Sequence, residues 1–163
     1  LRPTSSRVRQ ALFNLLGARI PGGSFLDLYA GTGLVGIEAL SRGAGLVVFV
    51  ERNPSSVRGI RLNLEETAPT GAARVFAASA ETAIHDLEKE GRRFDVVYAD
   101  PPWDPGLPAS IFEGAARLLE EGGVLVVEHR TSRPLTIPRS MALRPGRSYR
   151  HGDATLAVFH RDR

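Results

Sequence analysis

The 163-residue chain contains no cysteine. That excludes a disulfide framework and a thiolate zinc site, and no metal centre is expected. No apolar run approaches the ~18–20 residues that cross a bilayer. The first residues lack the basic, then apolar, then small-residue order of a signal peptide. Both absences point to a cytoplasmic location with no membrane. Lysine is nearly absent too: Lys89 is the single one among 21 basic residues. Acids are missing from both ends. Residues 1–26 carry Arg2, Arg7, Arg9 and Arg19 without an acid, and residues 129–152 carry six arginines without one. With a net charge of +3, this segregation suggests a polyanionic partner. Arg2, Arg7, Arg130, Arg133, Arg147 and Arg150 are the candidate contacts. Scattered, solvated arginines are the plain alternative.

What is present fits one domain over residues 1–163, with residues 1–20 as an N-terminal helical element. Hydrophobic residues make up 42% of the chain, enough for an ordinary core. Ser5–Leu16 reads as a helix capped by Thr4, Ser5 or Ser6, with an apolar face of Val8, Leu12, Leu15 and Leu16. Strand and helix patterns then alternate. Strands are predicted at Phe25–Leu28, Leu46–Glu51, Arg74–Ala77, Phe94–Ala99 and Val124–Glu128. Helices are predicted at Leu34–Ser41, 54–67, Glu81–Glu90 and Pro108–Glu120. Met141–Leu143 and Ala154–His160 read as two further strands around the polar stretch Arg144–Asp153, with no helix between them. The pattern predicts an α/β fold: a doubly wound, mostly parallel seven-stranded sheet ending in an antiparallel hairpin.

Two motifs lie at strand ends. The first, Gly31-Thr32-Gly33-Leu34-Val35-Gly36, follows a strand and opens a helix. Glycines there let the backbone turn tightly and approach a ligand, and the helix N-terminus adds positive potential. Glu51 ends the next strand 20 residues after Gly31, where a carboxylate can accept from both ribose hydroxyls. These features fit NAD as well as S-adenosylmethionine. Asp27 favours the latter, because a dinucleotide-binding strand is usually apolar at that point. Its carboxylate can orient the loop or meet a cationic amine. Tyr29, beside the loop, reads as a wall of the cofactor pocket.

The second motif is Asp100-Pro101-Pro102-Trp103, directly after the fourth strand. An exocyclic base amine is a poor nucleophile because its lone pair is delocalised into the ring. Two acceptors, one on each N–H, favour the rehybridised geometry that aims this lone pair at a methyl donor. The Asp100 carboxylate can be one and the Pro101 carbonyl the other, with Pro101 and Pro102 fixing the turn. Trp103 offers a face for stacking the base. A simple Pro-Pro turn beside a partly buried Trp is the structural alternative. His129 and His151 are conceivable bases, but histidines at strand ends are more often surface or hydrogen-bonded residues.

With these residues in view, the chain resembles the RsmD-type methyltransferases, which methylate N2 of a guanine in small-subunit (16S) ribosomal RNA. The likeness runs from Arg2-Pro3-Thr4 and Leu12-Phe13-Asn14-Leu15-Leu16 through Phe25–Gly33, Gly36–Ala44 and Val50-Glu51-Arg52-Asn53. It continues to Asp95-Val96-Val97, the Asp100 motif and Gly122-Gly123. The resemblance implies a Rossmann-like class I S-adenosylmethionine-dependent fold. Asp27, Tyr29, Gly31, Gly33, Glu51, Arg52 and Asp100 would then be cofactor contacts, and Ser79 would lie near the adenine. The segment Ala77-Ala78-Ser79-Ala80 lacks the acid many relatives place there. The short basic segment that usually precedes Arg-Pro-Thr is absent here. The partner implied is ribosomal RNA, naked or in a small-subunit particle, and the expected state is a monomer. The same Asp100 motif also serves adenine-N6 and cytosine-N4 methyltransferases. An NAD-dependent dehydrogenase and a non-catalytic RNA-binding module are the other readings.

Overall fold

The computed structural model describes residues 5–67, 71–139 and 142–163. Helix α1, Ser6–Leu16, starts where the Ser5 hydroxyl accepts the Val8 amide at 3.3 Å, meeting one of the orphan amides of a first helical turn. Its buried face is Val8, Leu12, Phe13 and Leu16. Leu15, expected on that face, is half-buried. Phe13 takes its place, with its ring 6.3 Å from that of Phe25.

The chain then runs β1 Ser24–Asp27, α2 Leu34–Ser41, β2 Leu46–Glu51, α3 Pro54–Thr67, β3 Ala73–Ala77, α4 Ala80–Lys89 and β4 Phe94–Ala99. It continues with α5 Ala109–Arg117, β5 Leu119–Arg130, β6 Leu143–Pro145, β7 Tyr149–His151 and β8 Ala154–Arg161. The sheet order is β3-β2-β1-β4-β5-β8-β6, with β7 also paired to β8. The first five strands are parallel, and β8 is antiparallel to β5, β6 and β7. The mostly parallel, doubly wound sheet with an antiparallel end is thus as expected, but it has eight strands rather than the seven expected, because the polar stretch adds β7.

Period-2 alternation gives the central strands β1, β2, β4 and β5 two buried faces. On one, Leu26, Val48, Val97 and Leu125 pack with Leu87 of α4 and Phe112 of α5. On the other, Phe25, Phe49, Tyr98 and Val126 pack with Leu12 and Phe13 of α1, Ala39 of α2 and Ile60 of α3. Register between β1 and β4 is pinned at the far edge from the site. There the Asp95 carboxylate accepts the Ser24 amide at 2.9 Å, and the Ser24 hydroxyl accepts the Asp95 amide at 3.0 Å.

The larger departures from the sequence reading lie in the second half of the chain. Pro108 caps α5 in an extended conformation, and the helix ends at Arg117. Strand β5 begins at Leu119 and absorbs Gly122-Gly123 through a register shift against β4. The polar stretch 144–153 holds strand β7 and most of β6, because ladder hydrogen bonds to β8 come from the backbone whatever the side chains. The expected strand at Met141–Leu143 lies partly outside the described residues; the observed β6 starts at Leu143. Among the described residues no helix is long and apolar enough to cross a membrane.

Candidate active site

The register explains how the site assembles. Asp27 pairs with Phe49 on one side and Tyr98 on the other, and Tyr98 pairs with Val126. Two residues further along β2, β4 and β5 stand Glu51, Asp100 and Glu128. Alternation therefore carries four acids onto one side of the sheet at its carboxyl edge, the edge where open α/β sheets bind ligands. A cavity of about 1020 Å³ opens there, lined by Glu51, Asp100 and Glu128; Asp27, Gly31 and Gly33 lie behind its lining.

Tyr29, Glu51, Arg52, Asn53 and Ser79 to Glu81 line one half of it. Gly31 and Gly33 both have positive φ, and a Cβ on Gly33 would come within 2.9 Å of Ile60. Glycine is thus required at Gly33 for backbone conformation and for space. The Glu51 carboxylate accepts the Gly31 amide and the Asn53 amide, each at 2.8 Å. It therefore braces the loop as well as facing the cavity. Ser79 lines the cavity, but its hydroxyl caps α4 by accepting the Thr82 amide at 3.2 Å. Arg52 is exposed on the rim.

Asp27 is fully buried, and among the described residues neither of its carboxylate oxygens has a hydrogen-bond partner. Burial pushes its pKa up to about 7; the Tyr29 backbone amide, close to the carboxylate but without the geometry of a full hydrogen bond, counters this in part, and the nearby Glu51 charge adds to it. Burial, with the Glu81 charge, pushes the Tyr29 phenol up to about 12, so it stays a hydrogen-bond donor. A buried carboxyl of this kind, under a glycine loop braced by a second carboxylate, suits a nucleoside cofactor that carries a cation. The residues present fit S-adenosylmethionine.

The other half is lined by Ser5 and Val8 at the start of α1, Asp100, Pro101, Pro102, Trp103, Glu128 and Ala154. Pro101 is buried, Asp100 and Trp103 are half-buried, and Pro102 is exposed. The Gly106 amide donates to the Pro102 carbonyl at 2.9 Å and closes the loop on itself. Two arginines hold it from outside. The Arg130 guanidinium lies 4.9 Å from the Trp103 ring centroid. Arg133 donates to the Trp103 carbonyl at 3.2 Å and pairs with Asp104 at 3.1 Å. Arg130 thus takes one face of Trp103.

The remaining predicted contacts spread more widely. Arg7 is exposed on α1 and Arg150 on β7, while Arg147 lies 5.5 Å from the Tyr149 ring centroid. Arg2 lies outside the described residues. Neither histidine considered as a base lines the cavity. His129 Nδ1 sits 2.9 Å from the Arg130 carbonyl, and His151 is exposed. Sequence reasoning passed over Glu128 and Tyr98. Glu128 is buried in the cavity wall and accepts the Tyr98 hydroxyl at 2.7 Å. The signal was present: an acid ends an apolar strand there, as Glu51 ends β2.

Comparison with known proteins agrees with this geometry. The family described as Conserved hypothetical protein 95 matches residues 1–160. The chain is 38% identical over 128 residues to "Ribosomal RNA small subunit methyltransferase D" of Escherichia coli (strain K12), covering 78% of this chain and 61% of that protein. To the protein of the same name in Haemophilus influenzae it is 33% identical over 150 residues, covering 88% and 75%. Among solved structures, a conserved hypothetical protein of Streptococcus pyogenes superposes with a TM-score of 0.83 at 31% identity, covering 94% of this chain and 95% of that one. The braced glycine loop, the Asp100 loop and these matches together place the chain in the Conserved hypothetical protein 95 family, the family of the RsmD-type methyltransferases.

Proposed function

We propose that the chain transfers a methyl group from S-adenosylmethionine to the exocyclic N2 amine of a guanine in small-subunit ribosomal RNA. The observation that carries this is one cavity lined both by Tyr29 and Glu51, which flank and brace the glycine loop, and by Asp100 to Trp103. When bound, the cofactor supplies a methyl on a sulfonium, with a neutral thioether as leaving group. The protein's own work is positioning. Asp27 would hold the cofactor's cationic amine, and Glu51 its ribose hydroxyls with the lone pairs not used on the backbone. The Asp100 carboxylate and the Pro101 carbonyl would accept the two N2 hydrogens, and the face of Trp103 away from Arg130 would stack the base. As the N2–methyl bond forms, N2 becomes acidic, and its proton passes to Asp100 or water. Alignment of this kind accounts for ~7–11 kcal/mol of a barrier. A dehydrogenase reading leaves the Asp100 loop without a task.

The test is transfer of labelled methyl to unmodified small-subunit RNA and to small-subunit particles, followed by nucleoside identification. N2-methylguanosine should form. Asp100→Ala should abolish it while cofactor affinity stays within a few fold. Substantial turnover by that variant would remove the role given to Asp100. Label on adenine N6 or cytosine N4 would overturn the choice of base, and absence of cofactor binding would overturn the whole reading.

A further inference from the structure

The Asp100 loop explains how an exocyclic amine is held, but not which base carries it. Adenine and cytosine offer the same amine. They differ from guanine at the neighbouring ring nitrogen. Beside its N2 amine guanine has N1–H, a donor. Beside the adenine N6 amine stands N1, and beside the cytosine N4 amine stands N3, both acceptors.

Glu128 stands where that difference can be read. Ala99 of β4 pairs with Val127 of β5, so Asp100 and Glu128 leave neighbouring strands side by side, at the usual spacing of about 4.8 Å. Both line the same half of the cavity. Glu128 is buried, and its Oε1 accepts the Tyr98 hydroxyl at 2.7 Å. Tyr98 is itself fully buried between Asp27 and Val126 in the sheet, so the carboxylate it holds is oriented by the core rather than by solvent. An ionised carboxylate only accepts hydrogen bonds and has about four lone-pair positions. The Tyr98 hydroxyl uses one of them, and a donor on the base can use another.

We infer that Glu128 reads guanine by accepting its N1–H while Asp100 accepts from its N2 amine, with Tyr98 as the positioning residue. This rests on the guanine-N2 reading above. Two adjacent carboxylates match two adjacent donors. Adenine or cytosine in the same pose would set a ring-nitrogen lone pair against the buried carboxylate, an unsatisfied and repulsive contact.

The decisive substrate pair is an RNA carrying guanine or 2,6-diaminopurine at the methylated position, located first on unmodified small-subunit RNA. Diaminopurine keeps the N2 amine but turns N1 into an acceptor. The parent enzyme should prefer guanine by at least about tenfold in kcat/KM. Glu128→Gln keeps the side-chain size and the acceptor for Tyr98 but adds a donor. It should lower kcat/KM on guanine by at least about tenfold, hold or raise it on diaminopurine, and leave cofactor Kd within about twofold. Tyr98→Phe keeps the buried ring and should narrow the preference by several fold, a second measure should Glu128→Gln fold poorly. An unchanged base preference in both variants, or an equal loss on both bases, overturns the assignment to Glu128 while leaving the guanine-N2 reading intact. If the parent enzyme makes no N2-methylguanosine, that reading fails first and this one with it.

Discussion

Asp27, proposed to hold the cofactor's amine, is a residue whose burial costs the fold something. In an unfolded chain its carboxyl titrates near 3.8, whereas in the folded protein burial raises it to about 7. Between those values the folded protein keeps a proton that the unfolded chain has released. Stability without cofactor should therefore fall as pH rises from about 4 to 7 and level off above, by an amount on the order of a few kcal/mol. Asp27→Asn should flatten this dependence, raise the melting temperature at pH 8 and weaken cofactor binding by tenfold or more; calorimetry at pH 5 and 8 checks both arms. The sequence marks Asp27 because an acid inside an apolar strand is conspicuous. Glu128 escaped notice because an acid at a strand end is ordinary. Only the pairing of Ala99 with Val127 brings it beside Asp100, and register between strands so far apart in the chain is not written in local pattern.

Elements with strong local punctuation were legible nearly to the residue. Ser5 and Gly17 bracket α1, and Pro54 starts α3. The edge strands β6 and β7 were not, since they carry little apolar alternation and exist because β8 offers them a ladder. Helix α1 does two jobs, closing one face of the core and lending Ser5 and Val8 to the cavity. Leu12, fully buried at its centre, sets its hold: Leu12→Ala should cost ~2–5 kcal/mol, read by denaturant unfolding. The Asp100 loop is held differently, by exposed contacts. The Arg133–Asp104 pair is more than half exposed, and such pairs contribute only ~0–1 kcal/mol. Arg133→Ala should thus leave the melting temperature unchanged. It should lower kcat several fold by loosening the Trp103 carbonyl, with cofactor Kd unaffected, as steady-state kinetics and calorimetry would show.

At the scale of the molecule, the acid-free stretch 129–152 resolves into two groups that composition could not separate. Arg130 and Arg133 hold the Asp100 loop, and Arg144 pairs with Asp162 at 3.2 Å. Arg147 and Arg150 lie on the exposed edge of the sheet beside β8. Replacing Arg147 and Arg150 with Ala should weaken RNA binding and reduce the salt slope by about 0.7–0.9 for each phosphate no longer neutralised, measured by fluorescence anisotropy at low and moderate salt. Arg144→Ala should change that slope less. The position of β8 also orders events during synthesis. It lies between β5 on one side and β6 with β7 on the other, yet it is made after all of them. A nascent chain that has emerged only to His151 already holds β1 to β5 and the glycine loop. It still lacks Ala154 in the cavity wall beside the Asp100 loop and the partner that β5 needs along its second edge. The side of the cavity next to the glycine loop can therefore form while the chain is still being translated, and the side proposed for the base is closed only when β8 arrives.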